Sequence, residues 1–162
     1  MNCKNCGAAL TPIPERHYMY CDHCSTFYFP TDLAGSDDRI TPLGESVPLH
    51  CPVCDLELFL GVVENESVYY CEKCRGFLVK CDDFAAIVRK RRARRMGIEG
   101  AATPLNPEEL QRHIQCPVCH RRMDVHPHYG PGPVVIDSCS YCQVVWLDQG
   151  ELAAIERAPG LR

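Results

Sequence analysis

Short apolar runs, several of them alternating with polar residues, recur along this chain and are separated by turn-forming residues. Leu56, Leu58 and Leu60 alternate around Glu57 and Phe59, Gly61 to Ser67 offers a turn, and Val68-Tyr69-Tyr70 returns. This period of two predicts a β-hairpin. A second hairpin is expected to leave through Met123-Asp124-Val125, turn around Gly130-Pro131-Gly132-Pro133 and return through Val134-Val135-Ile136. A third, nearer the N-terminus, runs from Ala8 to Ile13, turns near Pro14-Glu15-Arg16 and comes back through His17-Tyr18-Met19-Tyr20. After each hairpin comes one more apolar stretch that reads as a third strand: Phe27-Tyr28-Phe29, Phe77-Leu78-Val79 and Val144-Val145-Trp146-Leu147.

Helical spacing is confined to short appendages. Phe84-Ala85-Ala86-Ile87 and Leu152-Ala153-Ala154-Ile155 fall on one another without a gap when the chain is aligned on Cys74 and Cys142, so two repeats end in the same helix. Asp148 and Glu151 are spaced as a capping box for the later helix. The earlier one has Lys80 in place of Asp148, which leaves Asp82 as its expected cap. Asn106, followed by Pro107, Glu108 and Glu109, predicts a further short helix through about His113.

Cysteine usage changes this picture from small hairpins to small metal-bound hairpins. Of 13 cysteines in 162 residues, twelve form six Cys-x-x-Cys pairs that group in twos. The groups are Cys3, Cys6, Cys21, Cys24; then Cys51, Cys54, Cys71, Cys74; then Cys116, Cys119, Cys139, Cys142. The pairs within each group lie near the separation of about 15 to 20 residues that marks a four-cysteine zinc site. Each Cys-x-x-Cys turn brings two sulfurs to one point, a hairpin of this length returns to supply two more, and four thiolates complete a tetrahedron. Such a site has no open position for water or substrate, which is the structural rather than the catalytic arrangement. Met1 to Cys6 shows no basic stretch followed by an apolar one, and no run approaches the length of a membrane span, so the expected compartment is the reducing cytoplasm, where paired cysteines are metal ligands.

The expected fold is therefore small and mainly β: three four-cysteine zinc ribbons holding three zinc ions, with short appended α-helices. The expected domains are a ribbon at 1–30, a linker at 31–48, a second ribbon with a basic helix at 49–96, a linker at 97–107, and a third ribbon with flanking helices at 108–162. Iron in place of zinc is the alternative metal.

The stretch Cys116-Pro117-Val118-Cys119, a spacer, then Cys139-Ser140-Tyr141-Cys142-Gln143-Val144-Val145-Trp146-Leu147-Asp148-Gln149-Gly150-Glu151-Leu152 resembles the TFIIB-like zinc-ribbon family of bacterial proteins. That likeness covers about residues 114 to 157; residues 49 to 90 look like a diverged copy without the Trp-Leu-Asp-x-Gly-Glu-Leu segment, and residues 1 to 30 resemble only a generic zinc ribbon. The resemblance implies a zinc-ribbon fold and zinc binding. The family commonly has Gly-Gly or Gly-x-Trp after the last pair, where this chain has Gln143-Val144 before Val145-Trp146, a departure expected to change packing and not ligation.

Formal net charge is −4, and loading twelve thiolates with three Zn²⁺ would bring it to about −10. Against that background Arg89, Lys90, Arg91, Arg92, Arg94 and Arg95 form the one strongly basic run, readable either as a solvated helix C-terminus or as a phosphate contact. No nucleophile elbow, phosphate loop or zinc-protease signature is present. The expected function is a non-catalytic, macromolecule-binding adaptor whose partner, nucleic acid or protein, is met through the basic helix at 89–95, with no membrane or small-molecule substrate. A redox- or metal-responsive zinc-thiolate protein and a regulatory subunit of an enzyme are the alternatives. Cys81 is the cysteine left over and aligns with Gln149, not with a ligand; His23, His120 and His126-Pro127-His128 read as neighbours of the sites.

Overall fold

A computed structural model describes residues 2–3, 5–13, 18–28, 37–94, 104–128 and 134–159. The expected turns at 14–16 and 130–133, Phe29 and Arg95 lie outside these residues.

The N-terminal strands form a three-stranded antiparallel sheet of β1 (Thr11–Ile13), β2 (Tyr18–Tyr20) and β3 (Phe27–Tyr28), in that order. The other strands do not form separate ribbons. They make one seven-stranded antiparallel sheet from β4 (Thr41–His50), β5 (Glu57–Val63), β6 (Glu66–Tyr70), β7 (Phe77–Lys80), β8 (Asp124–Pro127), β9 (Val135–Cys139) and β10 (Val144–Leu147), in the order β4-β5-β6-β7-β10-β9-β8. The seam is the β7–β10 pair, where Phe77, Leu78, Val79 and Lys80 face Leu147, Trp146, Val145 and Val144. In the repeat Leu78 corresponds to Trp146 and Val79 to Leu147, so the seam pairs each strand with its own counterpart about a pseudo-two-fold axis through Leu78 and Trp146. The same correspondence relates Tyr69↔Leu78 in one repeat to Asp137↔Trp146 in the other.

Strand alternation divides this sheet into two faces. Phe77, Val79, Val145 and Leu147 point toward α1 (Cys81–Arg94) and α2 (Glu151–Arg157), whose Phe84, Ile87, Leu152 and Ile155 complete one core. Leu78, Val144 and Trp146 point the other way, into a second core shared with Leu58, Met123 and cysteines of both later groups.

Residues 31–48, expected as a linker, contain most of β4, the edge strand beside β5. Pro42 and Pro48 sit on an edge, where a missing N–H does not interrupt a ladder on both sides, and register breaks between Pro42 and Ser46 and between Val47 and His50 absorb the irregular sequence. Ile40 and Leu43 are buried and anchor the strand. Leu43 also receives the three-stranded sheet, because Met19 packs against Leu43 and Val62.

The turn expected over Gly61 to Ser67 is tighter than that. Gly61 stays in β5, where an added Cβ would stand 2.9 Å from both Ile40 and Tyr70, so the glycine serves the close approach of β4. The reversal is made by Glu64 and Asn65 alone, with φ of 50° and 74°, as a two-residue hairpin of this hand requires. The helix expected from Asn106 to His113 is a single 3-10 turn, Glu109–Gln111, entered through the Asn106 side chain accepting from Glu108 N–H at 3.1 Å.

The capping box expected at α2 is half formed. Glu151 accepts the Asp148 N–H at 2.8 Å, while the helix-facing amides of Gly150 and Ala153 are taken at 2.7 and 3.1 Å by Asp38, a buried residue remote in sequence.

Candidate metal centres

Each of the three cysteine groups expected from the spacing is assembled, with all four Sγ atoms within 4.8 Å of one another. Every cysteine is a free thiol. Sulfur separations of 3.5 Å (Cys3–Cys24), 3.4 Å (Cys6–Cys21), 3.6 Å (Cys51–Cys74) and 3.7 Å (Cys119–Cys139) are far longer than a disulfide bond. They lie close to the edge of about 3.8 Å of a tetrahedron with metal–sulfur bonds of about 2.3 Å. The donor set and its size fit a tetrahedral thiolate metal.

One local geometry builds all six cysteine turns. In five of them the first cysteine's carbonyl accepts the N–H of the residue four positions on: Gly7 at 2.8 Å, Ser25 at 2.8 Å, Asp55 at 2.9 Å, Arg75 at 3.0 Å and His120 at 2.9 Å. That residue has positive φ in every case, as does Gln143 in the sixth turn, at 55°. Only Gly7 among these six is glycine, so the other five hold a left-handed backbone that a side chain disfavours. Gln143 thus fills the position after the last pair without a glycine, its side-chain amide bonding Ser140 O at 2.5 Å. Inside two turns a backbone amide points at sulfur: Cys54 N–H to Cys51 Sγ at 3.3 Å and Cys142 N–H to Cys139 Sγ at 3.4 Å.

The surroundings of the groups differ. In the second and third, two cysteines are buried, two are half-buried, and all belong to the same apolar layer with Trp146 and Leu78. In the first, Cys6 is exposed, and among the described residues of its sheet Met19 is the only fully buried apolar side chain.

Part of the basic run is enclosed, which neither a solvated helix end nor a phosphate contact expects. Arg91 and Arg92 are 2% and 3% exposed. Arg91 donates to Asp38 O, to Glu64 at 3.3 Å and to Glu156 at 3.5 Å. Arg92 donates to Ile155 O at 2.7 Å and Ala158 O at 3.0 Å, closing the C-terminus of α2. Lys90 bonds Glu66 at 2.6 Å and Glu64 O at 2.8 Å, and Arg94 bonds Glu64 at 2.7 Å. Arg89 is exposed. The signal for Arg91 was in the helix period: Phe84, Ile87 and Arg91 share one face.

Among the described residues no histidine joins a sulfur group. His126 bonds Pro127 O at 2.9 Å and Ser138 Oγ at 2.8 Å, and the His128 ring meets Phe84 edge-on at 5.4 Å. Cys81 stands outside the groups; burial pushes its thiol up, and the negative charge of Asp82 adds to the effect.

A polar cluster that the sequence did not announce lies beside the third repeat. Arg112 pairs with both Asp137 and Asp148, the Trp146 indole N–H donates to Asp148 at 3.1 Å, and burial pushes the Glu151 carboxyl up to about 9.

The fold and these groups define the chain as a mainly β protein with three four-cysteine clusters able to hold metal. No protein-family model, curated protein or solved structure matches it. Among the described residues no helix is long and apolar enough to cross a membrane.

Proposed function

We propose that this chain is a zinc-ribbon adaptor: a non-catalytic protein in which three structural zinc ions hold a sheet surface that binds a macromolecule. The observation that carries this reading is the closure of each site by four protein sulfurs, two of the sites being buried in one apolar layer, which leaves a bound metal no position for water or substrate. Zinc is favoured over iron by the ribbon geometry together with the resemblance of residues 114 to 157 to TFIIB-like ribbons. A protein partner is favoured over nucleic acid, because among the described residues of the basic run Arg91 and Arg92 are enclosed and Lys90 and Arg94 are paired with glutamates. Elemental analysis should return three zinc ions per chain in a colourless protein, and a tagged chain should retain its partner after nuclease treatment. Iron in the sites, or a partner lost to nuclease, overturns the reading.

One observation favours a second reading, a redox- or metal-responsive zinc-thiolate protein. Cys6 is exposed, and Met19 is the only fully buried apolar side chain among the described residues of its sheet. Under mild peroxide this reading expects one zinc to leave ahead of the other two, with oxidation confined to Cys3, Cys6, Cys21 and Cys24.

A further inference from the structure

The two later repeats differ at the pseudo-axis, and the difference opens a cleft. In the third repeat Trp146 is fully buried, its ring lying so close over Gly76 that a Cβ there would stand 2.5 Å from the indole Cζ2. In the second repeat the counterpart of Trp146 is Leu78, and the counterpart of Gly76 on the facing repeat is Val144. The shorter side chain does not reach as far, and beside it lies a cleft of about 610 Å³ lined by Leu49, Tyr69, Leu78, Val118 and Val144.

The matching place in the third repeat is a smaller cleft of about 250 Å³ lined by Arg112, Asp137, Asp148 and Glu151. There Asp137 replaces Tyr69, and Arg112 answers both aspartates. One repeat has therefore filled the position with an indole and a salt-bridged rim, while the other leaves a cleft whose Leu78 and Val144 are themselves buried and whose accessible apolar surface comes from Leu49, Tyr69 and Val118. Val118, which lines it, is 48% exposed, as is its counterpart Val53 at 49%. Lys80, Asp82 and Asp83 form the rim on the α1 side and leave it with one net negative charge.

We propose that this cleft is a docking pocket for an aromatic side chain of a partner protein, flanked in the partner's sequence by a basic residue. The ring is the group the opposite repeat already seats at the corresponding position, and a planar ring covers much apolar area at small cost in side-chain entropy. The flanking cation answers Asp82 and Asp83. The inference rests on the protein-partner reading above and names the chemistry of that partner.

The test uses the full zinc-loaded chain and two probes, N-acetyl-tryptophanamide and a blocked Lys-Trp-Lys peptide, followed by methyl NMR. Both should give saturable shifts at Leu49, Leu78, Val118 and Val144, with the peptide about threefold tighter, as one exposed charge contact contributes. Asp82→Asn with Asp83→Asn should remove that difference. The double change Leu78→Trp with Val144→Gly copies the Trp146 and Gly76 arrangement into the second repeat and should abolish binding of both probes. If that variant fails to fold, Val118→Glu at the mouth should weaken both at least tenfold with three zinc ions retained. Absence of saturable shifts at these methyls, or undiminished binding to Val118→Glu, overturns the pocket; equal affinity for the two probes overturns the cationic part. Neither failure alters zinc content or nuclease-resistant partner retention, so loss of this inference is distinguishable from loss of the adaptor reading.

Discussion

Asp38 accepts the Gly150 N–H at 2.7 Å, across most of the length of the chain, and with the same carboxylate takes the Ala153 N–H at 3.1 Å. A buried acid from the segment before β4 thus supplies the cap that α2 lacks locally, since Gly150 has no side chain to offer. The Asp38 carbonyl also accepts from Arg91, so one residue fastens both helices. Asp38→Ala should destabilise the protein by about 2 kcal/mol, as loss of a buried cap does. Asp38→Asn, which keeps one acceptor, should recover part of this in denaturant titration. Equal loss in both variants would mean that the charge and not the cap matters.

Trp146 is the only tryptophan and lies in the layer shared by the second and third four-cysteine groups, remote from the first. Cys119→Ser should therefore remove one zinc and shift tryptophan emission to the red. Cys6→Ser should also remove one zinc, yet leave emission unchanged. Removal of all three ions by a strong chelator should abolish native circular dichroism, because metal supplies folding energy on the order of 10 kcal/mol per site in small ribbons. An unaltered spectrum after verified metal loss would refute this.

Arg91 is buried among two glutamates and a carbonyl, and removing its guanidinium leaves those groups desolvated and unanswered. Arg91→Ala should destabilise by about 3 kcal/mol or more, and Arg91→Lys should rescue little, since one ammonium cannot span three acceptors. Arg89→Ala should be close to neutral. Thermal unfolding of the three variants distinguishes a structural arginine from a surface contact, which would give three small and similar changes.

Glu151 has an ordinary carboxyl value near 4.5 that burial raises to about 9, with the nearby Asp148 charge adding to the effect. A raised acid favours the folded state when protonated. Its contribution is full at low pH and is lost as pH climbs from the ordinary value toward about 9. Burial raises Asp38 and Asp137 as well, in the same sense. Glu151→Gln should therefore flatten the decline in stability between about pH 6 and pH 9, above the range where thiolate protonation releases metal. A slope identical to the parent's in urea melts across that range would show that Glu151 does not titrate there.

The four-cysteine groups were legible because their information is local: a Cys-x-x-Cys turn and the hairpin between two such turns bring the sulfurs together whatever the rest of the chain does. The helices were legible for the same reason, since Phe84 to Ile87 and Leu152 to Ile155 repeat at one distance from the last cysteine. What was hidden depends on partners remote in sequence. The segment at Pro42, Gly44 and Pro48 reads as irregular, and becomes a strand only because β5 offers an edge and Ile40 and Leu43 find a core. Arg91 reads as solvated until Asp38, Glu64 and Glu156 arrive from three other elements. The seam follows from no local pattern, because Phe77 to Lys80 and Val144 to Leu147 each look like the outer strand of an isolated ribbon.

That seam has a consequence for how the two repeats can change. In an assembly of identical molecules the residue on the symmetry axis meets itself, and any substitution there is imposed twice. Joining the halves in one polypeptide lifts this constraint, because the tether, and not mutual likeness, keeps the partners together. Leu78 facing Trp146 is a pairing that no exact twin could contain, so the halves are free to specialise, one sealed and the other left receptive.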